Sequence, residues 1–359
     1  MSGEPAAMIG QTVEVAPDAH FDEARLRAYL SGRIPGFNGD VKVGEFQGGQ
    51  SNPTFLLTTP DNRYVLRRKP AGVLLASAHA VDREYRVTRA LYEAGLPVPE
   101  PLHLCEDTDV IGTIFYVMRY VPGRSFWDPR MPGLSRDERA AIYDSANETL
   151  ARLHLVDHAA IGLGDYGRPG NFFARQISRW SRQYDASRTQ DIPEMDRLIA
   201  WLPGAIPQAE ERTTIIHGDY SFHNLLIHPT EPRVVAVIDW ELSTLGDPLG
   251  DLTYHMMEWF RPEGVDVRGT LQGADLATLG IPTSDEYARR YRDRTGFAVD
   301  PCDPFYTAFN LFRVAAILQG IAGRARDGVQ TAGNAGEIIQ RIVPLARAAW
   351  RSAQEGGAA

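Results

Sequence analysis

His217-Gly218-Asp219-Tyr220-Ser221-Phe222-His223-Asn224, followed by Val237-Ile238-Asp239-Trp240-Glu241, is the stretch on which the reading of this chain turns. It sets an Asp, an Asn five residues later and a second Asp fifteen residues after that. Apolar residues bracket each turn. Phosphoryl transfer asks for those side chains: a carboxylate to orient an attacking hydroxyl and accept its proton, and two oxygen ligands for the magnesium on a nucleotide. Asp219 is the candidate base. Asn224 offers the metal a neutral oxygen and Asp239 a charged one. The apolar strand expected over 234–238 would deliver Asp239 at its end. Any one of these residues alone reads as a turn or a helix cap. The full spacing points instead to a small-molecule kinase that uses ATP or GTP.

Working outward, strands are expected over 213–216, 225–228 and 233–238, and the rest of the second half reads as helix. A capping box, Ser135 with Glu138, opens a long helix running to about His154. Further helices are expected over 171–187, 191–200, 250–260, 284–294, 303–323 and 335–354. The first third differs. A short helix over 21–30 precedes strands over 41–46, 54–59 and 63–68, then a helix over 78–93 ending near Gly95. Leu96-Pro97-Val98-Pro99-Glu100-Pro101 must be extended, because each proline biases its predecessor away from helix. A hairpin over 102–106 and 113–120 leads to a hinge at Val121-Pro122-Gly123. The expected fold is therefore α+β and two-lobed: a small β-rich N-lobe over 1–121, and a larger, mainly helical C-lobe over 122–359.

At 359 residues, with 43% hydrophobic and 23% charged residues, the balance is that of an ordinary globular protein. The net charge of -9 excludes nucleic-acid binding through a broad basic surface. It leaves a nucleotide substrate open, because magnesium and a few local cations neutralise a triphosphate. Two cysteines, Cys105 and Cys302, give no disulfide framework or cysteine zinc site and fit a reducing cytoplasm. The polar N-terminus lacks a signal-peptide core. No apolar run is read as reaching the ~20 residues that cross a bilayer. The expected partners are a nucleotide and a small acceptor, with no nucleic acid and no membrane.

The His217-to-Asn224 and Ile238-to-Glu241 motifs resemble those of the aminoglycoside phosphotransferase and choline-kinase-like group, which shares the protein-kinase-like fold. The resemblance runs from about Glu45 to Trp259. It implies that Asp219 is the base, that Asn224 and Asp239 hold Mg2+, and that ATP or GTP is the co-substrate. It makes His217 and His223 loop residues. It leaves Glu241 either near the metal or supporting the loop, and makes Asp251 a buttress of the catalytic-loop backbone.

The same resemblance puts the nucleotide in the N-lobe. Gly48-Gly49-Gln50-Ser51-Asn52 matches a shortened phosphate loop in which Ser51 and Asn52 would meet the phosphates; no Gly-Lys-Ser/Thr follows, so it is not a Walker A loop. In the strand Tyr64-Val65-Leu66-Arg67-Arg68-Lys69, alternate residues Val65, Arg67 and Lys69 share a face. Kinase-like folds roof the base with an apolar residue and hold the phosphates with a lysine two positions on. Val65 and Arg67 take those places here, so arginine stands where lysine is expected. Lys69, ~7 Å along the strand, is the rival for that role. Glu84 would hold Arg67, unless it pairs at the surface with Arg83 or Arg86. The adenine would bond to backbone around Arg119 and Val121, with Met118 behind it.

The acceptor is the least legible part. Gly48 to Phe55, Val65 to Pro70, Asp82-Arg83-Glu84 and Val110 to Thr113 are similar to the kinase domain fused to some acyl-CoA dehydrogenases, and the chain resembles that domain standing alone. This implies a hydroxyacyl acceptor, such as a hydroxy acid or hydroxyacyl-CoA, ahead of an aminoglycoside or amino alcohol. Arg175, Arg179, Arg182, Arg289, Arg290 and Arg292 are the cations available for acidic groups on it. A pseudokinase would lack Asp219, Asn224 or Asp239, and all three are present. A dehydrogenase would need a flavin site.

Overall fold

The computed structural model describes residues 7–8, 12–16, 19–46, 52–70, 80–208, 212–264, 269–327 and 335–358. Ser51 and the rest of the expected phosphate loop up to it lie outside them. The chain forms two compact units. One comprises Met1–Phe126, Asp157–Asp165 and Phe222–Ser243, and the other Trp127–Val156, Tyr166–Ser221 and Thr244–Ala359.

The first unit contains β1 (Ala7–Met8), β2 (Thr12–Val13), α1 (Glu23–Ser31), β3 (Lys42–Phe46), β4 (Thr54–Thr58), β5 (Arg63–Arg68), α2 (Val81–Glu93), β6 (Pro101–Cys105), β7 (Phe115–Arg119) and β8 (Arg124–Ser125). The second unit contributes α3 (Arg136–His154), α4 (Phe172–Ser187), α5 (Pro193–Trp201) and β9 (Thr214–Ile216). The chain returns to the first unit for β10 (Leu225–Ile227) and β11 (Val234–Val237). It ends in the second with β12 (Thr244–Gly246), α6 (Leu249–Phe260), α7 (Leu276–Leu279), α8 (Ser284–Thr295), α9 (Pro304–Arg326) and α10 (Ala335–Glu355).

In the first unit an antiparallel sheet runs β2-β3-β4-β5-β7-β6. Strand β5 shows the two-residue period that orients its faces. Tyr64, Leu66 and Arg68 are buried against Phe55, Leu57, Val117 and the α1 residues Leu26 and Leu30. Val65 and Arg67 point to the other face. Arg68 is tolerated in this core because its guanidinium donates to Ala19 O at 2.9 Å and lies over the Phe21 and Phe55 rings. A second sheet, β1-β8-β10-β11, holds the β10–β11 hairpin with Leu225 opposite Val237. Ile238 N–H then donates to Asn224 O at 3.0 Å. Asn224 and Asp239 therefore leave the same end of one hairpin.

The second unit is helical around a two-stranded β9–β12 ladder. The Ser135–Glu138 box caps α3 as expected, with both reciprocal bonds formed. Gly246 on β12 allows a close approach: a Cβ there would sit 2.7 Å from Ile216 Cδ1 and from the Phe172 ring. Helix α9 departs from the expectation of no bilayer-length apolar run. It is long and apolar enough to cross a membrane by length and composition, but 83% of its apolar window is buried inside the fold. Its apolarity is that of a core helix. The short strands β8 and β12 were also not expected; two or three residues carry no period, and only their pairing defines them.

Candidate active site

Two sets of side chains stand out, one in each unit. In the first unit, Arg67 projects from β5 and Glu84 from the first turn of α2. Arg67 Nε lies 3.0 Å from Glu84 Oε2, and its Nη2 lies 2.6 Å from Asp239 Oδ1 and 3.5 Å from Glu241 Oε2. One guanidinium thus faces three carboxylates. Glu84 is buried, whereas the Asp239 and Glu241 side chains keep 35% and 25% of their surface open. Asp239 has a φ of 68°, in the left-handed region where Asp is better tolerated than most residues. That turn ends β11 and brings the carboxylate to Arg67.

The charge balance shows in the titration of the cluster. Burial pushes the Glu84 carboxyl up to about 7, Asp239 and Glu241 add to the rise, and Arg67 and the Tyr116 hydroxyl oppose it. Arg67 moves the other way relative to its burial. Glu84, then Asp239, hold its pKa above the ordinary arginine value despite desolvation, so the guanidinium stays charged. The surplus is negative. A hard cation with oxygen donors suits it, and an Asp carboxylate and an Asn amide leaving one hairpin end are magnesium-type ligands. Among the described residues no group of three or more His, Cys, Asp or Glu side chains is arranged to hold a metal by itself. A site completed by nucleotide oxygens and water has no need of one.

The remaining nucleotide candidates fall on or near the same sheet. Val65 sits opposite Met118 on β7, and both are half-buried. Asn52 is buried at 2% exposure, just before β4. Arg119 spends its side chain on Glu100, at 2.6 Å, and its N–H on Glu100 O, at 2.9 Å. Val121 follows, half-buried, beyond the strand end. Lys69 pairs with Asp82 at 3.4 Å rather than joining the Arg67 cluster. Arg86, the surface alternative for Glu84, is committed to Asp165 and Gly162 O.

In the second unit, β9 feeds the loop carrying Asp219. From Thr214 to Phe222 every residue is buried except Asp219, which is half-buried. The backbone around it is clamped. Asp251, in the first turn of α6, is fully buried and accepts the His217 N–H at 2.5 Å and the Gly218 N–H at 2.7 Å. Burial alone would raise the Asp251 pKa, but His154, then His217 with its backbone N–H, bring it below the ordinary carboxylate value. His154 in turn bonds Tyr291 OH at 2.7 Å. Gly218 has a φ of 86°, which a side chain would strain. Asp219 N–H donates to His217 Nδ1 at 3.2 Å, so that nitrogen is an acceptor and His217 is committed to the loop. Arg313, from α9, donates to Gly218 O. The structure thus brings together Arg67, Glu84, Asp239 and Glu241 in the first unit, and fixes the backbone on which Asp219 sits in the second. Arg313 was not among the expected residues. Its signal was a lone cation inside the long apolar run of α9.

A fold with a β-rich N-lobe and a larger helical part, an HGD loop braced by a buried carboxylate, and a cation held by a helix glutamate define a class. Residues 42–291 match the phosphotransferase enzyme family, and the chain belongs to it. It has the expected two-lobed, protein-kinase-like α+β fold.

Acyl-CoA dehydrogenase family member 10 of Mus musculus is 42% identical over 352 residues, covering 97% of this chain but only 32% of the mouse protein. The chain thus spans about a third of that relative's length. A crystal structure from Ralstonia eutropha JMP134, named for the aminoglycoside phosphotransferases, is 48% identical with a TM-score of 0.83, covering 94% of this chain and 99% of that one. A spectinomycin phosphotransferase solved with ADP and spectinomycin shares 11% identity and a TM-score of 0.60, covering 92% and 98%; at that identity it shows the fold alone.

Proposed function

We propose that this protein is a magnesium-dependent kinase that moves the γ-phosphoryl group of ATP or GTP to a hydroxyl of a small metabolite, with a hydroxy acid or hydroxyacyl-CoA as acceptor. The observation that carries the reading is the cluster of one guanidinium and three carboxylates around Arg67. Its negative surplus and its charged arginine suit a site that receives a divalent cation together with a polyphosphate.

In this reading Asp219 orients the acceptor hydroxyl and takes its proton. The bond from the γ-phosphorus to the β-phosphate oxygen breaks as the bond to the acceptor oxygen forms, leaving a nucleoside diphosphate. Asn224 and Asp239 would hold Mg2+, which neutralises charge on the phosphates. Arg67, oriented by Glu84, grips the α/β-phosphates, and Ser51 and Asn52 line the phosphate loop. Val65 covers the base, which bonds to backbone at Arg119 and Val121. The N-lobe of 1–121 with its nucleotide, the C-lobe of 122–359 with its acceptor, and a cytoplasmic location belong to the same proposal. So does the preference for a hydroxyacyl acceptor over an aminoglycoside or amino alcohol; it is supported by 42% identity to a protein named for acyl-CoA dehydrogenases.

The test is a screen of hydroxy acids, hydroxyacyl-CoAs, amino sugars and amino alcohols with labelled ATP and GTP. The expected result is magnesium-dependent transfer to a hydroxyacyl compound. Transfer only to the amino sugars would reverse the acceptor assignment.

A further inference from the structure

The six arginines available for acidic groups on an acceptor are sorted by what they already hold. Arg175 donates to Arg168 O, Arg182 to Ser178 Oγ, Arg290 to Asp144 and Arg292 to Val299 O, and Arg289 lies exposed on α8 within the field of the Glu286 carboxylate. Arg179 is different. It is solvent-accessible on α4 and lays its guanidinium over the Trp180 ring, 4.9 Å from the centroid. Among the described residues it makes no hydrogen bond and no ion pair. Its charged neighbour is another cation. Burial, then the charge of Arg313, lowers the Arg179 pKa from its ordinary value, and no carboxylate opposes them.

Arg313 comes from α9. Its guanidinium lies over the same indole at 5.7 Å and over the Tyr254 ring at 4.9 Å. It is 7% exposed, and it bonds the carbonyl of Gly218, the residue before Asp219. Its buried Nε has no hydrogen-bond partner. A buried cation with an unmet donor is costly unless something anionic completes it. Arg179, accessible over the same indole, adds a second positive charge, and the repulsion between the two is relieved by the same anion. The two aromatic rings give them an apolar wall.

We propose that Arg313 and Arg179, over Trp180 and Tyr254 beside the catalytic loop, seat an anionic group of the acceptor. This rests on the kinase reading above and deepens it: the acceptor is an anion, and polycationic amino sugars are disfavoured by two adjacent positive charges. The anion is either the carboxylate of a free hydroxy acid or a phosphate of its coenzyme A thioester.

The experiment measures equilibrium binding of 3-hydroxyoctanoate, 3-hydroxyoctanoyl-CoA and the neutral 1,3-octanediol to the wild-type chain, Arg179→Ala and Arg179→Lys, with Mg·ATP binding measured alongside. Arg179 is solvent-accessible and makes no hydrogen bond or ion pair among the described residues, so its replacement does not threaten folding. The wild type should bind an anionic probe and not the diol. Arg179→Ala should weaken that anion by about tenfold or more, a loss of ~1.4 kcal/mol, and leave Mg·ATP affinity unchanged, while Arg179→Lys recovers part of the loss. Loss confined to the thioester identifies a coenzyme A phosphate; loss shared by the free acid identifies the carboxylate. Equal binding of the diol, no effect of Arg179→Ala, or no anion bound at millimolar concentration by a chain that binds Mg·ATP would overturn the proposal. Failure of the kinase reading is seen separately, as absence of Mg·ATP binding.

Discussion

Asp239 and Asp251 are the same side chain used in opposite ways. Asp239 ends a strand of the first unit with 35% of its side chain open, beside one arginine and two further carboxylates. Asp251 is sealed inside the second unit and receives two backbone N–H groups and a histidine. The first cluster is left short of positive charge and open to a ligand. The second is complete and holds a loop. Perturbing the first should therefore change what the protein binds, and perturbing the second should change how well it folds.

The largest effect is expected where the braced loop meets chemistry. Asp219→Ala should keep nucleotide binding and lower turnover by ~10³- to 10⁴-fold, the upper range for loss of a general base. Near-normal turnover on an identified acceptor would remove Asp219 from that role. Asp251→Ala strips the partner from two buried N–H groups and from His154, and should cost about 4 kcal/mol in urea unfolding. A loss under ~1 kcal/mol would break the contrast between the two aspartates.

A third test uses pH. His255 is fully buried, stacked on Tyr287, and burial holds its pKa down to about 4 against an ordinary 6.5. The folded state then binds fewer protons than the unfolded state between those values. Its contribution is present above pH 6.5 and lost as pH falls toward 4, by up to roughly 3 kcal/mol. His255→Phe should flatten stability in that window; an unchanged slope would show that other groups set it. The smallest stability change is expected for Asp239→Asn, which relieves part of the negative surplus. Unfolding should move by less than ~1 kcal/mol, while Mg·ATP affinity drops. Strong destabilisation would make Asp239 a structural residue like Asp251.

The sequence made the first unit easy to read and the second harder. Strands β4 and β5 carry a two-residue period, and the Arg67–Glu84 pair follows from a strand face and a helix turn close in sequence. The capping box of α3 is a local signal and appears where expected. Asp251 was legible as a loop buttress because it lies in a motif. Arg313 was not, because its partner Gly218 is 95 residues away and α9 reads as plain core. The motif alone leaves Glu241 between two roles; its 3.5 Å approach to Arg67 comes from the turn at Asp239, whose positive φ no composition announces.

The central claim is that the Arg67 cluster receives a metal-bound nucleotide, and calorimetric titration of ATP and GTP with and without Mg2+ tests it most directly. Binding is expected below millimolar with Mg2+, weakened by about tenfold or more without it. No binding of either nucleotide at millimolar concentration, or binding indifferent to Mg2+, would contradict it.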